Sequence, residues 1–204
     1  MMTDNNFVIN LEETLIQNIT LNDPDMVRYA LDLGANVNHR GDLMRTPLLL
    51  AVLKPFRHAC VEALLSRPDI NINAVDSFRY NALYYALLGQ DSEYTYWKML
   101  LEHGIDVNYK MADGSTMLMY LLYGYDQNNM TSVKLLLDFG ADTYIIGPHK
   151  MNAYQYARKY KGQYSQIVDL IKRQRSRLAF AAAEYVTGMP RDIREYIKHF
   201  LPPM

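Results

Sequence analysis

The sequence has a single cysteine, almost no net charge and no long apolar run. Cys60 has no partner for an internal disulfide, and its place in an apolar helical pattern predicts a buried small side chain rather than a nucleophile. The formal net charge of −1 gives no general attraction to nucleic acid or to an anionic membrane. No apolar run approaches 18 residues, and the N-terminus lacks a basic segment followed by an apolar one. We therefore expect an intracellular, cytoplasmic protein that neither spans a membrane nor carries a standard secretion signal.

The patterns that mark most catalytic and cofactor sites are also missing. The chain has no glycine-rich phosphate loop, no G-x-S-x-G nucleophile elbow and no pair of histidines at metal-ligand spacing. The sequence therefore predicts that the protein is not an enzyme, with no catalytic residue, no cofactor and no metal site.

What the sequence does contain is a repeated phrase. "TPLLLA" begins at residue 46, and the related phrases "NALYYA", "TMLMYL" and "NAYQYA" begin at residues 81, 116 and 152. A fixed period between 20 and 50 residues indicates an array of stacked units. Each phrase opens on a residue whose side chain can cap the first turn of a helix: Thr46, Asn81, Thr116 and Asn152. Each phrase therefore predicts a helix start.

A second phrase closes each unit. It reads "ALDLGANVN", "ALLSRPDININ", "MLLEHGIDVN" and "KLLLDFGADTY", with apolar residues at helical spacing, a stop and an extended segment. In three copies the stop is a glycine, which ends a helix in the left-handed conformation, and in the other copy Pro68 ends it. Each unit is thus predicted to be a turn, two short helices and an extended loop.

Together the two phrases resemble the ankyrin repeat, whose signature opens Thr-Pro-Leu-His-x-Ala and closes Leu-Leu-x-x-Gly-Ala-Asp-Val-Asn. The resemblance covers about residues 11–171, and other residues replace the signature histidine in every copy. It implies an all-α ankyrin repeat solenoid of about five helix-turn-helix units with a C-terminal helical cap. The predicted array covers residues 1–173, with units at about 11–40, 41–75, 76–110, 111–146 and 147–173, and the predicted tail covers residues 174–204. The resemblance also implies a non-catalytic module that binds another protein through its loop tips and inner helices.

The loop tips are the predicted binding surface. The variable residues just before each helix start project from the tips, whereas the repeated Leu and Ala positions are committed to the core. Leu43, Arg45, Phe78 and Tyr80 are large or charged, which is the composition typical of an interface hot spot. We predict that these four residues bind the partner protein, and the alternative is that they are solvated loop residues.

The tail has two interpretations. Met189, Ile193, Ile197 and either Phe200 or Leu201 recur at helical spacing and predict an amphipathic helix after a break at residues 187–188. In the first interpretation this helix is a cap on the last unit, and the basic run "KRQRSR" before it is a solvated helix face.

In the second interpretation the tail recruits a ubiquitin-ligase adaptor. "MPRDIREYIKHFL" resembles the opening of an F-box, and the tail also resembles the SOCS box of ankyrin-bearing ubiquitin-ligase adaptors. These resemblances imply a substrate-receptor subunit of a cullin-type ligase, with Pro190, Ile193 and Ile197 contacting a Skp-type or elongin adaptor. Ankyrin arrays with truncated F-box-like tails are characteristic of large DNA viruses, which implies a host-directed viral factor. Neither interpretation involves nucleic acid or a membrane.

Overall fold

The computed structural model describes residues 10–89, 94–123, 130–159 and 165–187. These four ranges contain ten α-helices and no β-strand, apart from one isolated bridge between Ile146 and Asn152. The helices are α1 (Leu11–Leu21), α2 (Pro24–Asp32), α3 (Pro47–Val52), α4 (His58–Leu65), α5 (Ala82–Leu88), α6 (Thr95–Glu102), α7 (Met117–Tyr123), α8 (Met130–Asp138), α9 (Ala153–Lys159) and α10 (Ser165–Thr187). The prediction of an all-α chain made of helix pairs is confirmed.

The chain divides into two compact units, residues 1–117 and 118–204. In the first unit the leading helices of successive repeats, α1, α3 and α5, pack side by side, and the second helices, α2, α4 and α6, form another layer. The apolar side chains between the layers are fully buried, among them Leu15, Leu48, Leu83 and Trp97. Each helix pair therefore completes its core only against the neighbouring pair.

The helices start and stop where the sequence predicts. The side chains of Thr46, Asn81 and Asn152 each accept a hydrogen bond from a backbone N–H in the first turn, at 3.4, 3.2 and 3.0 Å. The glycine stops Gly34 and Gly104 have φ values of +99° and +82°, a conformation in which a Cβ would be strained. Local capping chemistry thus accounts for the short, regular helices.

Asparagine side chains in the extended loops connect one repeat to the next. The Asn38 side chain accepts a hydrogen bond from the N–H of Asn71 at 2.7 Å and donates one to the carbonyl of Asp69 at 2.8 Å. One repeat later, the Asn73 side chain accepts from the N–H of Asp106 at 2.7 Å. These bonds satisfy loop backbone groups that have no helical partner and fix the spacing of the first three repeats.

In the second unit, α10 packs against α8 and α9. Arg175, which lies in the basic run, has its guanidinium carbon 4.1 Å from the ring centroid of Tyr144 and 4.7 Å from that of Tyr154. The same group donates hydrogen bonds to the hydroxyl of Thr143 at 3.0 Å and to its carbonyl at 2.7 Å. Arg175 therefore ties α10 to the preceding loop by cation–π contacts and charge-assisted hydrogen bonds. The helix continues without a break through residue 174, where the predicted tail begins.

Cys60 lies inside the first unit, as the sequence predicts for a small apolar side chain. Burial raises the pKa of its thiol, so the reactive thiolate is disfavoured at neutral pH.

Within the described ranges, no helix combines the length and the hydropathy that crossing a membrane requires.

Gly89 marks a close approach between the backbones of two repeats. A Cβ placed on this residue, which follows α5, would lie 2.6 Å from the carbonyl oxygen of Val52 and 3.0 Å from backbone atoms of Leu53. These obstructing atoms are backbone at the end of α3, so they cannot move aside as a flexible side chain would. The repeat-to-repeat distance at this edge therefore requires glycine.

We expect Gly89→Ala to lower the free energy of unfolding by about 1–3 kcal/mol, because the added methyl group overpacks a backbone contact. Gly41→Ala is a matched control, since its Cβ would meet nothing closer than the carbonyl oxygen of Arg45 at 3.8 Å. Urea unfolding of the two variants gives the comparison. Equal stabilities would show that the spacing between α3 and α5 is not fixed at this point.

Candidate functional site

Each loop tip before a leading helix folds back on itself in the same way. The N–H of Gly41 donates to the carbonyl of Arg45 at 3.0 Å, and the N–H of Asp76 donates to the carbonyl of Tyr80 at 3.1 Å. Equivalent bonds join residues 111 and 115 at 2.9 Å and residues 147 and 151 at 3.0 Å. The tips are therefore ordered turns whose backbone bonds are satisfied locally.

The fourth position of every tip adopts the left-handed conformation, and in two tips the residue before it, Leu43 or His149, does so as well. The fourth position is Gly114 in one tip, with φ of +83°, but Met44, Arg79 and Lys150 in the others, with φ of +59°, +65° and +56°. For residues with a Cβ this conformation costs roughly 1–2 kcal/mol. The tips of the second and third repeats thus hold long side chains at a position where glycine would be free of strain.

The tips of the second and third repeats lie side by side. The N–H of Ser77 donates to the carbonyl of Leu43 at 2.9 Å, and the Arg40 guanidinium donates to the carbonyls of Met44, at 2.8 Å, and Val75. This pairing forms what we call the tip surface, made of residues 40–45 and 75–80. These hydrogen bonds consequently hold the two tips in a fixed orientation relative to each other.

Three large apolar side chains are exposed on the tip surface. The exposed fractions are 46% for Leu43, 52% for Met44 and 55% for Phe78. Of the four residues predicted to bind a partner, Leu43 and Phe78 are therefore directly accessible. Met44, which is equally exposed, is not among the residues that the sequence predicts to bind a partner.

The other two predicted residues, Arg45 and Tyr80, are half-buried, and their side chains contact tyrosines of α5. The Arg45 Nε donates to the Tyr85 hydroxyl at 2.8 Å, and its guanidinium carbon lies 5.4 Å from the centroid of that ring. Tyr80 stacks on Tyr84 with 3.8 Å between centroids and an interplanar angle of 9°. The structure therefore brings all four predicted residues to the same two tips, but in two different environments.

A buried carboxylate organises this part of the tip surface. Asp76 accepts hydrogen bonds from the N–H groups of Phe78 and Tyr80 at 2.9 and 2.8 Å, and its other oxygen accepts from the Tyr85 hydroxyl at 2.8 Å. With the Arg45 guanidinium bonded to the same hydroxyl, the charge is compensated through a three-residue network. Asp76 and Tyr85 were not selected from the sequence, although an Asp that precedes a turn is a known signal for such bonds.

Burial raises the pKa of Tyr85, and its hydrogen bond to Asp76 raises the pKa further. Because the folded pKa is above the unfolded value of about 10, folding favours the neutral hydroxyl. The resulting contribution to stability is complete below pH of about 10 and is lost as the pH rises through the raised pKa.

We expect Tyr85→Phe to destabilise the protein by about 1 kcal/mol at neutral pH, because Asp76 and Arg45 both lose a hydrogen-bond partner. The variant should also lose part of the stability decline that the wild-type protein shows above pH of about 10. Urea unfolding at neutral pH and at a series of alkaline pH values measures both effects. The control is Tyr29→Phe, because the Tyr29 side chain on α2 is exposed. A Tyr85→Phe profile parallel to that of the control would contradict the network.

A groove of about 890 Å³ lies beside the tip surface in the first unit. It is lined by the leading helices α1 and α3 and by the tip of the second repeat, so that Gly41, Asp42 and Arg45 belong to both the groove and the tip surface. The sequence indicates that inner helices take part in binding but does not define this groove. The residues predicted to contact an adaptor, Pro190, Ile193 and Ile197, lie outside the described residues.

Comparison with known proteins identifies the repeats. Residues 59–147 match the family model described as ankyrin repeats, in three copies. Among curated proteins, the chain is 29% identical over 159 residues to "Ankyrin repeat and SOCS box protein 6" of Homo sapiens, a match that covers 69% of this chain and 38% of the relative. The protein of the same name from Pongo abelii is 28% identical over the same shares. The chain thus spans about two fifths of the length of these relatives, and the ankyrin resemblance stated from the sequence is confirmed.

Proposed function

Because the chain is built of ankyrin repeats, which are protein-interaction modules, we propose that it is a non-catalytic module that binds a partner protein through the tip surface and the adjoining inner helices. The observation that carries this proposal is the hydrogen-bonded pairing of two neighbouring tips that expose Leu43, Met44 and Phe78. Clustered apolar side chains on an otherwise polar loop edge are typical of a protein-binding surface. The proposed location is cytoplasmic.

The form of the tip surface supports tight binding. The Asp76 network and the stacked rings of Tyr80 and Tyr84 hold the turn before any partner arrives. A rigid surface loses less conformational entropy on association than a flexible loop, so more of the contact energy remains as affinity. Exposed Leu43 and Phe78 supply the contacts, while Arg45 and Tyr80 position them.

We expect the double variant Leu43→Ala, Phe78→Ala to bind the partner about 30-fold more weakly or worse, since hot-spot truncations cost about 2 kcal/mol or more. Its unfolding temperature should change little, because both side chains are exposed. Affinity purification with the wild-type chain from its native cells identifies the partner, and titration of that purified partner measures the loss.

Phe56→Ala is the matched control, because Phe56 is 81% exposed but lies in the loop between α3 and α4. This control should bind like the wild-type chain. If the double variant and the control bind the partner equally well, the tip surface is not the binding site.

A second candidate function is a substrate-receptor subunit of a cullin-type ubiquitin ligase, in which the tail recruits an elongin or Skp-type adaptor. It is favoured by the two relatives, whose name includes a SOCS box, and by the F-box-like residues Pro190, Ile193 and Ile197. The Arg175 contacts support a cap role for the first part of α10, which leaves the later residues to the adaptor. A viral, host-directed role is part of this candidate.

We expect the variant Ile193→Ala, Ile197→Ala to distinguish a recruiting tail from a cap. If the tail recruits an adaptor, binding of purified elongin or Skp-type adaptor is lost while the unfolding temperature stays nearly normal. If these side chains belong to a cap, their truncation lowers the unfolding free energy by several kcal/mol, on the order of 2–5 for each buried site. A wild-type chain that binds neither adaptor would reject the ligase candidate.

A further inference from the structure

The groove beside the tip surface has opposite charges at its two ends. Glu12 and Glu13 lie in the first turn of α1 and line one end, and Asp42, from the tip that precedes α3, also lines the groove. Lys54 and Arg57, which follow α3, line the other end. The walls are thus acidic where α1 begins and basic where α1 finishes.

A hydrogen bond fixes the basic end relative to α1. The Arg57 guanidinium donates to the carbonyl of Thr20 at 2.9 Å, and Thr20 lies in the last turn of α1. Because Glu12 and Glu13 lie at the opposite end of the same helix, the charge separation follows the helix axis. Arg45 and His39 also line the groove, and the Arg45 Nε donates a hydrogen bond to the Tyr85 hydroxyl.

The charged side chains that line the groove are outside the ion pairs of the described residues. In the part of the chain that the structure describes, the three ion pairs are Arg28–Asp25, Arg67–Asp32 and Lys172–Asp169. None of them includes a charge that lines the groove. The Glu12 carboxylate accepts a hydrogen bond from the N–H of Asn36 at 3.5 Å, which does not neutralise its charge. The carboxylates at one end and the cations at the other therefore face the groove as recognition groups for a charged ligand.

The length of the groove and the apolar residues at its centre indicate the length and the polarity of the ligand. Thr20 lies eight positions after Glu12, which corresponds to about 12 Å along a helix at roughly 1.5 Å per residue. An extended chain covers that distance with about four residues at roughly 3.3 Å each. Between the charged ends the wall includes Ile16, Leu50 and Leu53, so the central part of the ligand meets apolar surface.

We propose that this groove binds one extended segment of a partner protein that has a basic side chain and an acidic side chain about four residues apart, with an apolar side chain between them. The basic side chain pairs with Glu12 and Glu13, and the acidic side chain pairs with Lys54 and Arg57. The inference rests on the proposed protein-binding function and specifies the chemistry of the partner.

The test is a selection from a display library of random octapeptides against the full chain and its charge-reversal variants. The wild-type chain should enrich peptides with one basic and one acidic residue three to five positions apart, consistent with the estimated spacing of about four. Lys54→Glu, which leaves the bond between Arg57 and Thr20 intact, should bind the selected peptides on the order of tenfold more weakly. It should also enrich peptides that have a basic residue in place of the acidic one.

Arg173→Glu is the matched control, because it makes the same change of charge at an exposed cation on α10, outside the groove. This control should enrich the same peptides as the wild-type chain. Peptides whose affinity is unchanged by Lys54→Glu, or a wild-type selection with no enriched octapeptide, would overturn the groove proposal. Capture of the intact partner, and its loss with Leu43→Ala and Phe78→Ala, tests the proposed function independently.

Discussion

Helices this short cannot fold alone, and that constraint governs the rest of the structure. The leading helices α3 and α5 have six and seven residues, whereas isolated helices are marginal below about 12–15 residues. Each helix is therefore stable only when its apolar face is covered by the next repeat, as with Leu48 and Leu83 in the core. The side-chain bonds of Asn38 and Asn73 add a second link between repeats, made by loops rather than by helices.

Because the helices provide the stability, the tips can vary in sequence. Met44 and Arg79 occupy the left-handed position that Gly114 occupies in another tip, at a cost of roughly 1–2 kcal/mol for each Cβ. The buried carboxylate of Asp76 restores order by bonding two turn amides and a tyrosine hydroxyl. The tip surface therefore combines unusual side chains with a fixed backbone, and both properties favour specific binding.

Residue type alone does not reveal whether a charged side chain faces solvent or supports the fold. Arg175 belongs to a run that looks like a solvated basic face, yet its guanidinium lies between two tyrosine rings and bonds to Thr143. Arg45, which the sequence predicts to contact a partner, is half-buried, and its Nε donates a hydrogen bond to the Tyr85 hydroxyl. In both cases the arginine combines planar stacking with directional donors, which lysine could not reproduce.

The sequence by itself determined the repeat spacing, the caps and the helix stops. These are local properties, because a capping side chain such as Thr46 or Asn81 and a stop such as Gly34 act within one turn of chain. Only the tertiary structure decided that Leu43 and Phe78 lie together, that Asp76, Tyr85 and Arg45 form a network, and that charges of two repeats share one groove. Those contacts join residues from different repeats, and their geometry depends on how the helices pack, which a periodic pattern does not specify.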